Sequence, residues 1–237
     1  MGVVAGIERH QKLAQIEQLR SKVRRLEQKP GIGAELATHE ALGGVVQLRA
    51  GGTYAADSLS LAMLLLAGPS AAGEWTAVVG VEDFGVEAAA EAGVDLERTI
   101  LVPRPKDSWL EATAALVDVT TLVLVRPTGR VTPGVAEKIG ARLRTRGAAL
   151  VALGEWPRAD VRLRATEPRW VGLGNGDGHL RARRMVVEAV RGTAPPRRTA
   201  LWFPAEDGGL RRVLEPVADP STGSGHRLSD LRKQESA

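Results

Sequence analysis

The chain contains no cysteine, which excludes disulfides, thiolate zinc sites and cysteine nucleophiles at once. Aromatic residues are scarce at 3%, so ready-made stacking platforms for bases are few. Lysine is also sparse: six of the 32 basic residues are Lys and the rest are Arg. An arginine excess of this kind, alongside abundant Ala, Gly and Val, is equally a mark of GC-rich coding and of an anionic partner. Long apolar runs are missing too. Leu59 to Ala67, interrupted by Ser60, is about half of the roughly 20 residues a bilayer crossing needs. With no basic segment followed by an apolar core at the N-terminus, a soluble cytoplasmic protein without membrane contact is expected. What remains is ample for one globular domain: 237 residues, 43% apolar and 25% charged, with a formal charge of +4 that permits a nucleic-acid partner without demanding one.

Three segments are expected: an amphipathic helix over 1–30, an α/β core over 31–191, and a C-terminal segment over 192–237 that is mostly disordered after 208. In the first, Leu13, Ile16, Leu19, Val23 and Leu26 recur three and four apart among Arg20, Lys22, Arg24 and Arg25, an apolar stripe ended by Lys29-Pro30-Gly31. A stripe this short is marginal unless covered, so it lies on its own domain, on another copy or on another protein.

From Gly43 the pattern alternates strand-type and helix-type runs. Strands are expected at Val45–Ala50, Trp75–Val81, Thr99–Val102, Thr120–Val125 and Ala148–Leu153, and helices at Ser58–Ala67, Val86–Ala92, Asp107–Val117 and Pro133–Arg146. Val- and Leu-rich strands without polar alternation belong in a parallel sheet covered on both faces. After Pro157 the pattern changes to Val161–Ala165, Trp170–Leu173 and Leu180–Ala189, with a glycine-rich turn at Gly174–Gly178, which predicts an antiparallel hairpin on the sheet edge.

Gly51-Gly52-Thr53-Tyr54-Ala55-Ala56-Asp57-Ser58 occupies the slot of a phosphate loop between the first expected strand and its helix. The working pattern GxxxxGK[ST] cradles phosphates with amides, neutralises them with Lys and holds magnesium with a hydroxyl. Gly51 and Ser58 fit, but Ala56 replaces the second Gly and Asp57 the Lys, which sets a like charge against a triphosphate. The apolar strand Leu122 to Val125, where a magnesium carboxylate would follow, continues instead into Arg126-Pro127. Glu82 could polarise a water, or it and Asp83 simply end a strand.

In order, the N-terminal helix, Leu42-Gly43-Gly44, the altered loop, Val81-Glu82-Asp83, Ala92-Gly93-Val94-Asp95 and Leu122 through Arg130-Val131-Thr132-Pro133 resemble the RecA family. More narrowly, the altered loop and the passage Arg162-Leu163-Arg164, Arg169-Trp170-Val171-Gly172-Leu173-Gly174 and Gly178-His179-Leu180-Arg181-Ala182-Arg183-Arg184 resemble ImuA-type accessory mutagenesis proteins, above all their shortened actinobacterial branch. The likeness covers roughly Val4 to Pro204. It implies a RecA-like parallel sheet between helices and a role in damage-inducible translesion synthesis, while the altered loop itself leaves no cofactor expected. The implied partners are an inactive Y-family polymerase relative of the ImuB type and an error-prone replicative-type polymerase, with a RecA filament as an alternative to the polymerase-like partner.

The expected function is therefore a non-catalytic adaptor that recruits or bridges a polymerase-like partner, through the N-terminal stripe and the pair Trp202 and Phe203. That aromatic pair is either a partner anchor or a closing strand on the core. The alternatives are a RecA-family ATPase that recovers its Lys from a neighbouring subunit and a single-stranded DNA-binding module. The latter would use Arg162, Arg164, Arg169, Arg181, Arg183 and Arg184, which also suit an ordinary solvated sheet face. His10, His39, His179 and His226 lie far apart and suggest no metal site, and Ser58 and Ser60 lack the GxSxG setting of a hydrolase.

Overall fold

The computed structural model describes residues 30–174, 177–207 and 209–213. The strands are β1 (Thr53–Ala56), β2 (Thr76–Val79), β3 (Thr99–Val102), β4 (Leu122–Val125), β5 (Ala149–Leu153), β6 (Val161–Gly174), β7 (Asp177–Val190), β8 (Arg197–Trp202) and β9 (Arg211–Arg212). They form one sheet in the order β3-β2-β4-β5-β1-β6-β7-β8-β9. From β3 to β6 neighbouring strands run parallel, and from β6 to β9 they run antiparallel. The helices are α1 (Leu59–Ala71), α2 (Val86–Glu91), α3 (Trp109–Val119) and α4 (Pro133–Arg146).

The parallel strands bury both faces. Leu122, Leu124, Val151, Tyr54 and Ala56 enter a core shared with α1 and α2, while Val123, Val125, Leu150 and Ala55 enter a second core with α3 and α4. Helix α1 is buried on all sides from Leu61 to Ser70, as an apolar helix without a polar face must be. Its outer side is covered by Leu36, Leu42, Val45, Val46 and Leu48. Segment 37–39 crosses so close to Gly68 that a Cβ there would lie 2.6 Å from the His39 amide nitrogen and 2.7 Å from the Ala37 carbonyl oxygen.

Covering α1 explains why Val45–Ala50 is not a strand of the sheet. The amide of Leu36 donates to the Leu48 carbonyl, that of Ala50 to Ala34, and that of Gly33 to Ala50. The segment therefore pairs locally with 33–36, and its only bridge is Glu35 to Arg49. The Tyr54 hydroxyl fastens it to the sheet, accepting from the Arg49 amide at 2.7 Å.

The link from β5 to β6 holds no helix, yet it crosses from the end of β5 to the start of β6 on the far side of β1. Trp156, 1% exposed, fills that part of the second core. Asp160 then anchors the start of β6 to the start of β1 by accepting from the Thr53 amide at 2.7 Å and from its hydroxyl at 2.9 Å. The first two of the three strands expected after Pro157 are one, β6, with irregularities between Thr166 and Arg169 and between Val171 and Leu173. A bulge keeps such a strand paired while adding residues.

Candidate functional site

In parallel α/β sheets ligands sit beyond the carboxyl ends of the strands, so the junction of β1 and α1 is the place for phosphates. Strand β1 runs through Ala56 and α1 begins at Leu59, leaving Asp57 and Ser58 as the whole connection. Gly51 lies before β1, at its opposite end, roughly 15 Å away at the rise of an extended chain, and its amide donates to the Ala148 carbonyl at 2.7 Å. The reading of Gly51, Ala56, Asp57 and Ser58 as one altered loop is thus corrected. Thr53 to Ala56 are buried and paired with β5 on one side, with Tyr54 to Ala56 paired with β6 on the other.

Both connecting residues have structural tasks. The Ser58 hydroxyl caps α1 by accepting from the Leu61 amide at 3.5 Å. The Asp57 amide donates to the Leu163 carbonyl at 3.2 Å, and both its carboxylate oxygens accept from the Ala165 amide at 3.1 Å. Asp57 therefore ties the turn to β6 at the position where a phosphate-binding loop would place its Lys.

The neighbouring strand ends are equally committed. Arg126, following β4, makes a bidentate pair with Asp83, with Nη2 at 3.2 Å from Oδ2. That guanidinium holds the Asp83 carboxyl below the usual carboxylate range. Glu82 pairs with Arg104 at 3.0 Å. Between them Gly80 adopts φ +74°, and a Cβ there would meet the Arg126 carbonyl oxygen at 2.5 Å. The junction holds paired, exposed carboxylates, with guanidinium groups where a metal carboxylate would stand.

Beyond β1 the structure divides the six arginines of the hairpin. Arg162 pairs across from Ala55, Arg164 from Glu188, and Arg169 from Arg184, which places all four on the face that continues the α3 and α4 side of the sheet. Arg183 lies on the opposite face. It donates to the Ser60 hydroxyl at 2.8 Å and the Phe203 carbonyl at 2.9 Å, and it sits 5.5 Å from the Trp170 ring centroid. Burial lowers its pKa. Arg183 is a tie between hairpin and α1, not a free contact, and Arg181 is exposed.

The aromatic pair divides as well. Phe203 is buried in the first core, so its expected place as a partner anchor is corrected: alternation along β8 turns it inward behind Leu201. Trp202 points to the other face, directly across from Arg184, and lines a cavity of about 430 Å³ with Val171, Ala182 and Arg211. Sequence reasoning missed Arg198, Arg211 and Glu188 as members of this face, because only strand register assembles them. Leu13, Ile16, Leu19, Val23 and Leu26 lie outside the described residues, as do His10 and His226. Among the described residues no cluster of three His, Asp or Glu side chains forms a metal site, and no helix is long and apolar enough to cross a membrane.

Comparison with solved structures finds the flagellar accessory protein FlaH of Methanocaldococcus jannaschii, at a TM-score of 0.50 and 10% identity over 74% of this chain and 94% of that one. The shared fold is RecA-like. Residues 41–158 match the model of the MT3502 N-terminal domain. The uncharacterized protein Rv3395c of Mycobacterium tuberculosis is 34% identical over 154 residues, 64% of this chain and 76% of that protein. A RecA-like sheet with an antiparallel extension, and a two-residue turn where phosphates would bind, is the structure of a chain that belongs to the family of Rv3395c.

Proposed function

We propose that this protein is a non-catalytic adaptor in mutagenic translesion DNA synthesis, of the ImuA type, which recruits or bridges an inactive Y-family polymerase relative of the ImuB type, with a RecA filament as the alternative partner. The observation that carries the non-catalytic part is the junction of β1 and α1. Two residues replace a phosphate loop, one capping the helix and the other bonded to β6. Phosphate cradling needs several free amides and a cation. Here the amide of Asp57 is engaged by Leu163 and its side chain is an anion. The bridging part rests on the resemblance of the hairpin and loop passages to ImuA-type proteins and on the apolar stripe of residues 13–26.

Two measurements test the reading. Co-purification with the polymerase-like partner should be abolished by Ile16→Asp with Val23→Asp while the melting temperature is kept. ATP turnover, with and without single-stranded DNA, should stay at background. Turnover typical of RecA-family ATPases and abolished by Ser58→Ala would instead establish the enzyme.

A further inference from the structure

Strand register builds a row of side chains across four strands of the antiparallel extension. Arg169 on β6 stands opposite Arg184 on β7, Arg184 opposite Trp202 on β8, and Trp202 opposite Arg211 on β9. Strands lie about 4.8 Å apart, so the row spans about 15 Å on one face. Below it runs a small row, Thr166, Val186 and Ala200, and below that Arg164, Glu188 and Arg198. Helices α3 and α4 belong to this side of the sheet but pack over β2, β4 and the second core, while here Val186 and Ala200 are buried in the row between the two rows of arginines.

The row is costly on its own terms. Like charges directly across a strand pair repel, yet Arg169 and Arg184 face each other and neither has an ion-pair partner among the described residues. Arg198, in contrast, is held by Glu188 at 2.7 Å. Two adjacent unpaired guanidinium groups are a fork for a phosphate. One strand further, Trp202 borders a cavity of about 430 Å³, within the size of small-ligand sites. Glu206 and Asp207 also line it, the latter paired with Arg211 at 2.6 Å. Those carboxylates repel phosphate from the cavity and favour it on the Arg169 side, leaving the cavity to a planar, uncharged group.

We infer that this face binds single-stranded nucleic acid, with a backbone phosphate on Arg169 and Arg184 and a neighbouring base against Trp202. The aromatic beside the guanidinium pair favours a nucleic acid over an acidic peptide, which would need cations alone. It favours a single strand because a base must be free of its partner to reach the ring. The inference needs neither a nucleotide nor a protein partner and so stands apart from the adaptor reading.

The test uses the full chain and fluorescence anisotropy of a labelled oligothymidylate of about 15 nucleotides, at salt between about 50 and 200 mM. Arg169→Glu with Arg184→Glu should weaken binding at least tenfold and lower the logarithmic salt slope by about two. Arg130→Glu with Lys138→Glu, the same charge change on exposed residues elsewhere, should stay within about threefold. Trp202→Leu should cost about fivefold or more for the single strand with the slope unchanged, and Trp202→Phe should keep most of the affinity. Should Trp202→Leu unfold, the arginine variants and Trp202→Phe still decide. Three results would overturn the inference: no binding by the wild type at about 50 mM salt, equal loss in both charge-reversal pairs, or displacement by an oligoglutamate of equal charge as effective as by unlabelled oligothymidylate. The last would assign the face to an acidic protein segment.

Discussion

Gly68 lies inside α1, where replacing glycine by alanine ordinarily stabilises a helix by about 1 kcal/mol. The structure predicts the opposite sign. An added methyl would sit 2.6 Å from the His39 nitrogen, 2.7 Å from the Ala37 oxygen and 2.8 Å from the Thr38 Cα, all backbone atoms that cannot rotate away. Segment 37–39 must move out by most of an ångström, and with it Leu36 and Leu42, which cover α1. Overpacking of this kind costs about 1–3 kcal/mol. Set against the propensity gain, Gly68→Ala should lose up to about 2 kcal/mol net, about 1 kcal/mol at the middle of that range. In urea, with a slope of about 2–3 kcal/mol per molar for a chain this size, the midpoint should fall by about 0.5 M. Gly134→Ala in the first turn of α4 is the control, since nothing lies within 4 Å of its added Cβ, and its midpoint should hold or rise. A Gly68→Ala midpoint equal to or above wild type would refute the close crossing of α1.

Trp156→Ala should cost about 3–5 kcal/mol in the same assay, because a fully buried ring substitutes for a helix over that part of the sheet. Phe203→Ala should cost about 3 kcal/mol and Trp202→Leu less than about 1 kcal/mol, since one ring is core and the other lines an open cavity. Burial holds the His39 pKa below 6.5, and its neutral Nδ1 accepts from the Ala41 amide at 3.2 Å. The unfolded chain then takes up this proton at higher pH than the folded one. Its stabilising contribution should be complete above pH about 6.5 and decline as pH falls below that value. His39→Asn, which keeps an acceptor, should flatten that part of a melting-temperature profile against pH.

Helix α4 was legible to the residue because Thr132, Pro133 and Gly147 mark its ends: a hydroxyl cap on the Val135 amide, a proline at its first position and a left-handed residue after the last turn. The buried strands were legible because a strand covered on both faces needs apolar residues throughout. Val45–Ala50 misled because its apolar residues serve α1, and the third dimension decides whether such a run joins a sheet or covers a helix. The phosphate-loop reading failed on Gly51 and Gly52, which lead into a strand instead of following one. The arginines of the hairpin were visible, but their division between faces depends on one bulge and on which residue of β8 faces Arg184. Neither leaves a mark in local spacing.

The claim that the β1 to α1 junction holds no phosphate loop is tested most directly by titrating magnesium ATP calorimetrically into the wild type and into Ala56→Gly with Asp57→Lys, which restores the residues a loop would carry. A two-residue connection has no cradle to restore, so both proteins should show no binding up to about 1 mM, weaker than about −4 kcal/mol. Micromolar binding by the double variant would mean that a loop is present and had only lost its lysine, which would contradict this account.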